Sequence, residues 1–285
     1  MNKIQLKDGR YISYETYGNP KGKPVLYFHG WPASCLSATP LNTAAQQLNL
    51  RIIALDRPGY GFSTFQPSRT LLDWPDDVIE VANHFYLKQF SIIGTSGGAP
   101  YVCACAYKIP QRISTAIITA GLGPLNTIDT SLLNSEQKIY LHMWKWIYKL
   151  SLPILFFYNK TIKYWPRLYF FITNTRRSKS DLKLYNSQSV RNLIINTARR
   201  AFHQGHEGPW QDLKIYTSPW GFDLKNVKKK IFLWHGHEDK SVPLWLGKYV
   251  AQSLSNCLPH YLKNYGHMLL LTHAQTILSD ITSSK

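Results

Sequence analysis

An α/β core with a mostly parallel central sheet, flanked by helices and interrupted by a helical insertion, is predicted from this 285-residue sequence. Three observations predict it. Short apolar runs alternate with helical periodicity as far as Thr119, the alternation stops between residues 122 and 206, and it resumes afterwards to the end of the chain.

The elements follow in order. Ile4 to Leu6 and Tyr11 to Tyr17, joined through Asp8-Gly9, read as an antiparallel hairpin, and Val25 to Phe28 as a short buried strand. Pro40 to Leu48 is compatible with a helix, Arg51 to Leu55 with a strand, Asp76 to Leu87 with a helix and Phe90 to Gly94 with a strand. Ala99 to Tyr107 reads as a helix and Ile113 to Thr119 as a strand. Alternation of this kind implies parallel strands joined by right-handed crossovers. After Gly121-Leu122-Gly123-Pro124 comes a long aromatic and basic stretch with helical spacing. Beyond it Lys230 to Trp234 is a strand, Leu244 to Leu254 a helix, His260 to Lys263 a strand and Met268 to Ile281 an amphipathic helix. The expected organisation is therefore a core in two parts, 1–121 and 207–285, with an insertion at 122–206.

Composition narrows the class. Hydrophobic residues make up 44% and charged residues 17%, enough apolar surface for a packed core and not the composition of a disordered chain. With 33 Lys and Arg against 16 Asp and Glu the formal charge is +17, which raises anionic partners; no run of five basic residues marks a nucleic-acid arm. Cys35, Cys103, Cys105 and Cys257 lack CxxC spacing and sit among apolar neighbours, so reduced core thiols are expected rather than a disulfide frame or a zinc site. The polar start lacks the pattern of a secretory signal, and no apolar run reaches the length of a membrane span; a cytoplasmic location is the expectation.

The strongest chemical signal is Gly94-Thr95-Ser96-Gly97-Gly98, a G-x-S-x-G sequence lying where an apolar strand passes into a helix. There a serine is forced into a strained backbone conformation and its hydroxyl projects above the sheet at a helix N-terminus. Alone, the motif is also compatible, though less well, with a plain glycine-rich strand-to-helix turn or a phosphate loop. A hydroxyl nucleophile, however, needs a base, and the base needs an acid that fixes its tautomer. Asp239, in His235-Gly236-His237-Glu238-Asp239, follows one later strand, and His267, in Asn264-Tyr265-Gly266-His267, follows the next. Loops at the carboxyl edge of a parallel sheet converge on one crevice, so Ser96, Asp239 and His267 are brought within reach of one another. Glu238 is the rival acid; Asp239 is preferred for standing further along the turn, before Val242-Pro243. Of ten histidines, only His267 combines a preceding glycine with a place after the last strand. Backbone N–H groups of Gly97 and of Trp31, in His29-Gly30-Trp31-Pro32, are the expected oxyanion donors, with His29 bracing that loop. His203 and His206, in or beside the insertion, read as solvated loop residues or as substrate contacts.

These segments, together with Asp56-Arg57-Pro58-Gly59-Tyr60-Gly61-Phe62-Ser63, resemble the α/β-hydrolase superfamily over nearly the whole chain outside the insertion. The resemblance implies a serine hydrolase acting on an ester-like carbonyl without metal or organic cofactor. It implies a structural role for the 56–63 loop and a lid formed by the insertion. Relatives with an aspartate nucleophile are excluded because position 96 is serine. Other chemistries on the same parts stay open: thioester, amide or C–C cleavage, cofactor-free peroxidation, or non-catalytic ligand binding.

The insertion is distinctive in itself. Between Gly121 and Gly205 stand 13 Lys and Arg against three Asp and Glu, interleaved with Trp144, Trp146, Tyr148, Phe156, Phe157, Tyr158, Tyr164, Trp165, Tyr169, Phe170 and Phe171. One reading packs these rings onto the core beneath a solvated lysine face. The other docks them at an anionic membrane surface, or closes them over a small ester with an apolar portion. No nucleic-acid recognition module is evident.

Overall fold

The computed structural model of the chain describes residues 2–174 and 177–283. Among the described residues eight strands form one sheet: β1 (Asn2–Gln5), β2 (Tyr11–Gly18), β3 (Lys23–Phe28), β4 (Leu50–Leu55), β5 (Phe90–Thr95), β6 (Ile113–Thr119), β7 (Ile231–Gly236) and β8 (Cys257–Leu262). Their order is β1-β2-β4-β3-β5-β6-β7-β8, with β2 antiparallel to both neighbours and every pair from β4 to β8 parallel. The predicted hairpin pairs Ile4 with Ile12 and turns at Gly9, whose φ of 87° suits a residue without a side chain.

The helices are α1 (Asn42–Gln47), α2 (Trp74–His84), α3 (Ala99–Lys108), α4 (Ser135–Lys149), α5 (Ser151–Tyr164), α6 (Pro166–Asn174), α7 (Lys179–Tyr185), α8 (Gln188–Ala201), α9 (Glu207–Thr217), α10 (Leu244–Ser253) and α11 (Leu269–Ser283). Strand side chains alternate between two cores, as a sheet covered on both faces requires. Leu26 and Phe28 of β3 join Ile53, Leu55 and Ile92 beneath α2, α3 and α10, whereas Val25 and Tyr27 join Ile52, Ala54 and Ile93 beneath α1 and α11.

Two of the boundaries that differ from the expected ones do so for local reasons. The helix expected from Pro40 to Leu48 is a 3-10 helix over Cys35–Leu41 followed by α1, with Pro40 inside the tighter part. Helix α2 begins at Trp74, with Pro75 and two acidic residues in its first turn, where a missing N–H costs nothing. Among the described residues six α-helices, α4 to α9, lie between β6 and β7. Among the described residues no helix is long and apolar enough to cross a membrane.

Candidate active site

Ser96 stands at the turn between β5 and α3 with a φ of 54°, a left-handed conformation that costs an ordinary L-residue about 1–2 kcal/mol. The glycines beside it make the turn possible. A Cβ on Gly94 would lie 2.6 Å from the Gly98 carbonyl oxygen and from Val102, and one on Gly98 would collide with the Phe28 carbonyl oxygen. The chain therefore presents the Ser96 hydroxyl at the N-terminal end of the helical segment that starts there, above the sheet.

His267 follows β8 and turns Nδ1 toward Asp239, whose Oδ2 accepts its N–H at 2.7 Å. The other carboxylate oxygen accepts the backbone N–H groups of Ser241 and Val242, at 2.8 and 2.9 Å. Burial alone would raise the Asp239 pKa, but the His267 ring, the nearby His235 ring and the Val242 N–H outweigh it and hold the carboxyl below its ordinary value. Glu238, the rival acid, points elsewhere and accepts a hydrogen bond from Ser180 at 2.9 Å. With Nδ1 committed to Asp239, a neutral His267 ring leaves Nε2 as an acceptor. Among the described residues Ser96 and His267 make no side-chain hydrogen bond with each other, but both line one cavity of about 610 Å³.

The loop after β3 closes on Ser96 from the other side. A Cβ on Gly30 would lie 3.3 Å from Ser96 Cβ, and one on Gly97 would lie 3.0 Å from Trp31 Cβ, so the two expected oxyanion donors belong to adjacent backbone segments. Trp31 is anchored by its indole N–H, donated to the Pro209 carbonyl at 2.8 Å. His29 is fully buried and, as Nε2 accepts the Arg57 N–H at 3.3 Å, its Nδ1 carries the proton given to the Gly30 carbonyl at 2.8 Å. Burial and the Arg57 charge push the His29 pKa well below that of a free imidazole, so the ring is neutral.

Arg57 does more than shape its own loop. Its guanidinium donates to the carbonyls of His29 and Gly30, and the Gly30 carbonyl is the far end of the peptide whose N–H is that of Trp31. Arg57 is held in turn by Asp212 of α9, which also binds Arg69 and accepts hydrogen bonds from Tyr60 at 2.8 Å and Tyr101 at 2.6 Å. All five side chains are buried. Tyr216, one turn along α9, donates to the Gly97 carbonyl at 2.9 Å. A buried charged cluster thus fastens α9 to both segments around Ser96. The sequence assigns the 56–63 loop no chemistry and carries no local signal for Asp212, which shares its helix with Glu207, Gln211 and Lys214.

Two further residues escape a reading of the sequence, and both come from the chain between β6 and β7. Asp181, buried at the start of α7, accepts the backbone N–H groups of His267 at 3.0 Å and Met268 at 2.9 Å, which fixes the loop that carries the imidazole. Its own N–H is capped by Ser178 at 3.1 Å, a Ser-x-x-Asp pattern visible in the sequence as a helix start. Arg177 is the one guanidinium among the described residues lining the cavity; it donates to Ser241 Oγ at 3.1 Å and lies over the Tyr185 ring. Aromatic and aliphatic side chains supply much of the wall, Trp144, Tyr158, Tyr169 and Ile194 among them. His203 and His206 line none of it; His203 packs on Phe62 and His206 on Phe156. The Tyr148 side chain lies outside the described residues. The four cysteines are unpaired, and burial raises their thiol pKa values, that of Cys257 to about 11.

Comparison with known proteins agrees with this architecture. The profile of the alpha/beta hydrolase fold family matches residues 23–274. The uncharacterized hydrolase YugF of Bacillus subtilis is 24% identical over 277 residues, spanning 92% of this chain and 89% of that protein. The bifunctional esterase/perhydrolase DCH of Acinetobacter calcoaceticus is 23% identical, spanning 99% of this chain and 98% of that one. Among solved structures, an esterase from Exiguobacterium antarcticum superposes with a TM-score of 0.75 at 18% identity, and a bromoperoxidase from Bacillus anthracis with 0.73 at 22%, each over 99% of both chains. With the strand order, the turn at Ser96 and the profile match in agreement, the chain belongs to the α/β-hydrolase fold family.

Proposed function

We propose that this protein is a serine hydrolase that cleaves a carboxylic ester with an apolar portion through an acyl-enzyme. The observation that carries the reading is the Asp239–His267 pair, 2.7 Å apart, opening into the same cavity as a serine with positive φ. Ser96 Oγ attacks the carbonyl carbon as His267 Nε2 takes its proton, and Asp239 stabilises the imidazolium. The oxyanion is met by the N–H groups of Trp31 and Gly97, each such donor being worth about 3–4 kcal/mol of barrier in enzymes of this type. Collapse expels the alcohol, which takes the proton from His267. Water, deprotonated by the same ring, then adds to the acyl-enzyme and releases the acid with Ser96 restored. Helices α4 to α8 serve as the lid, and their rings provide the apolar wall for the acyl or alcohol part.

A second reading keeps the acyl-enzyme and changes its acceptor: hydrogen peroxide in place of water gives a peracid. It is favoured by the relative described as an esterase/perhydrolase. The test is turnover of p-nitrophenyl esters of increasing chain length, beside Ser96→Ala, with and without peroxide. Turnover that the variant abolishes is expected, the best chain length sizing the cavity; equal turnover by the variant refutes the assignment.

A further inference from the structure

The insertion carries a surface that the proposed chemistry does not use. Between Glu136 and Asp181 the chain holds nine Lys and Arg and not one Asp or Glu. The same stretch gathers the exposed apolar surface: of sixteen exposed large apolar side chains among the described residues, eleven lie between residues 139 and 171. Monomeric soluble proteins seldom leave apolar side chains so concentrated, and those that do use the patch for contact.

Helix α5 shows the arrangement most directly. Ser151, Leu155 and Ile162 are buried at a spacing of four and seven residues and face the protein. The opposite stripe, Leu152, Phe156, Phe157, Lys160, Lys163 and Tyr164, is exposed, although an outward face of a helix in water is ordinarily polar. The exposed row continues onto α6 through Trp165, Arg167, Leu168 and Phe171, the last of these 70% exposed. The two rows meet, since Phe157, Tyr164, Trp165, Arg167 and Leu168 line one surface cleft. Lys160 lies 5.3 Å from the Phe156 ring and Lys163 lies 5.2 Å from the Tyr164 ring, so the cations stand among the rings instead of on a separate face.

We infer that the outer face of α5 and α6 docks onto an anionic lipid bilayer surface. Aromatic and aliphatic side chains enter the headgroup boundary while lysine and arginine beside them meet lipid phosphate and carboxylate. A second copy of the chain is the poorer occupant, because two copies of a segment with no acidic residue would be pressed together with like charge unpaired. The inner sides of the same helices, through Tyr158, Tyr169 and Ile172, line the cavity that holds Ser96 and His267. Docking would therefore set the cavity beside a store of apolar ester; that consequence rests on the proposed hydrolase, whereas docking itself does not.

The experiment is sedimentation of the full chain with vesicles of phosphatidylcholine alone, or of phosphatidylcholine with phosphatidylserine, at low and high salt. Two variants accompany it: Lys160→Gln/Lys163→Gln/Arg167→Gln for charge and Phe157→Ser/Phe171→Ser for apolar contact. Circular dichroism and thermal melting report the fold of each independently of activity. Binding is expected only to the anionic vesicles, weakening as salt is raised. Each basic residue near such a surface contributes about fivefold, so the charge variant loses about a hundredfold in partitioning. The aromatic variant binds more weakly with an unchanged melt. The inference is overturned if the protein stays in the supernatant with anionic vesicles, binds neutral vesicles as well, or binds undiminished in the charge variant. It is equally overturned by a concentration-dependent dimer that Phe157→Ser/Phe171→Ser dissolves, which would make the face a contact between copies.

Discussion

Replacing Asp212 with asparagine keeps the shape of the side chain and removes its charge. In the native protein this one carboxylate faces the buried guanidiniums of Arg57 and Arg69, with Tyr60 and Tyr101 donating to it. The variant leaves two buried cations with no counter-charge, a change that costs about 3–5 kcal/mol in comparable buried pairs. For a chain of 285 residues, an unfolding entropy of about 2.1 cal/mol/K per residue makes that a fall of about 5–8 °C in Tm. Adding Arg69→Met should recover part of the loss, because one stranded cation goes with it. The acid limb of stability carries a second signature. Burial opposes ionisation of Asp212, but the two arginines and Tyr101 overcome it and hold the carboxyl well below the usual carboxylate range. A depressed pKa contributes stability that is present above the unfolded value, about 3.9, and is lost as pH falls toward the folded one. The variant should therefore lose less stability than the native chain between about pH 5 and pH 3. Calorimetric or circular-dichroism melts across that range measure both effects. A Tm within about 2 °C of the native chain at neutral pH, with an unchanged acid slope, would refute the claim that Asp212 anchors this cluster by charge.

Three further outcomes are expected at the site. Asp239→Asn should lower kcat by on the order of 10⁴-fold with the melt little changed, since the imidazole would lose the group that fixes its tautomer. Asp181→Ala, which frees the backbone N–H groups of His267 and Met268, should lower kcat on the order of 10²-fold through a displaced ring, and Asp181→Asn should restore part of it. Arg177→Met should raise KM for an ester bearing a carboxylate by roughly 10 to 100-fold and leave a neutral ester of equal size unchanged, because a charge-assisted hydrogen bond is lost only for the former. Steady-state kinetics on paired substrates decides each.

What the sequence disclosed depended on how local the signal was. Strand β6 was legible residue for residue, because a run of β-branched side chains bounded by Arg112 and Ala120 has no helical alternative. The loops that carry Asp239 and His267 were legible because each is short and follows a recognisable strand, and the structure brings Asp239 and not Glu238 to the ring. Asp212, Asp181 and Arg177 were not legible, since each meets its partners across long sequence separations, from the chain between β6 and β7, and no local pattern records such a pairing. The helices between β6 and β7 hide their own geometry for another reason. Helix α5 is apolar on two opposite stripes, so periodicity alone cannot say which one faces the protein.

The central assignment is the nucleophile, and the most direct measurement is covalent labelling by a fluorophosphonate, whose phosphorus loses fluoride to an activated serine oxygen. Peptide mass spectrometry should find the phosphonyl adduct on Ser96, absent in Ser96→Ala and formed far more slowly in His267→Ala. An adduct on another residue, or ester turnover that persists in Ser96→Ala, would contradict the assignment.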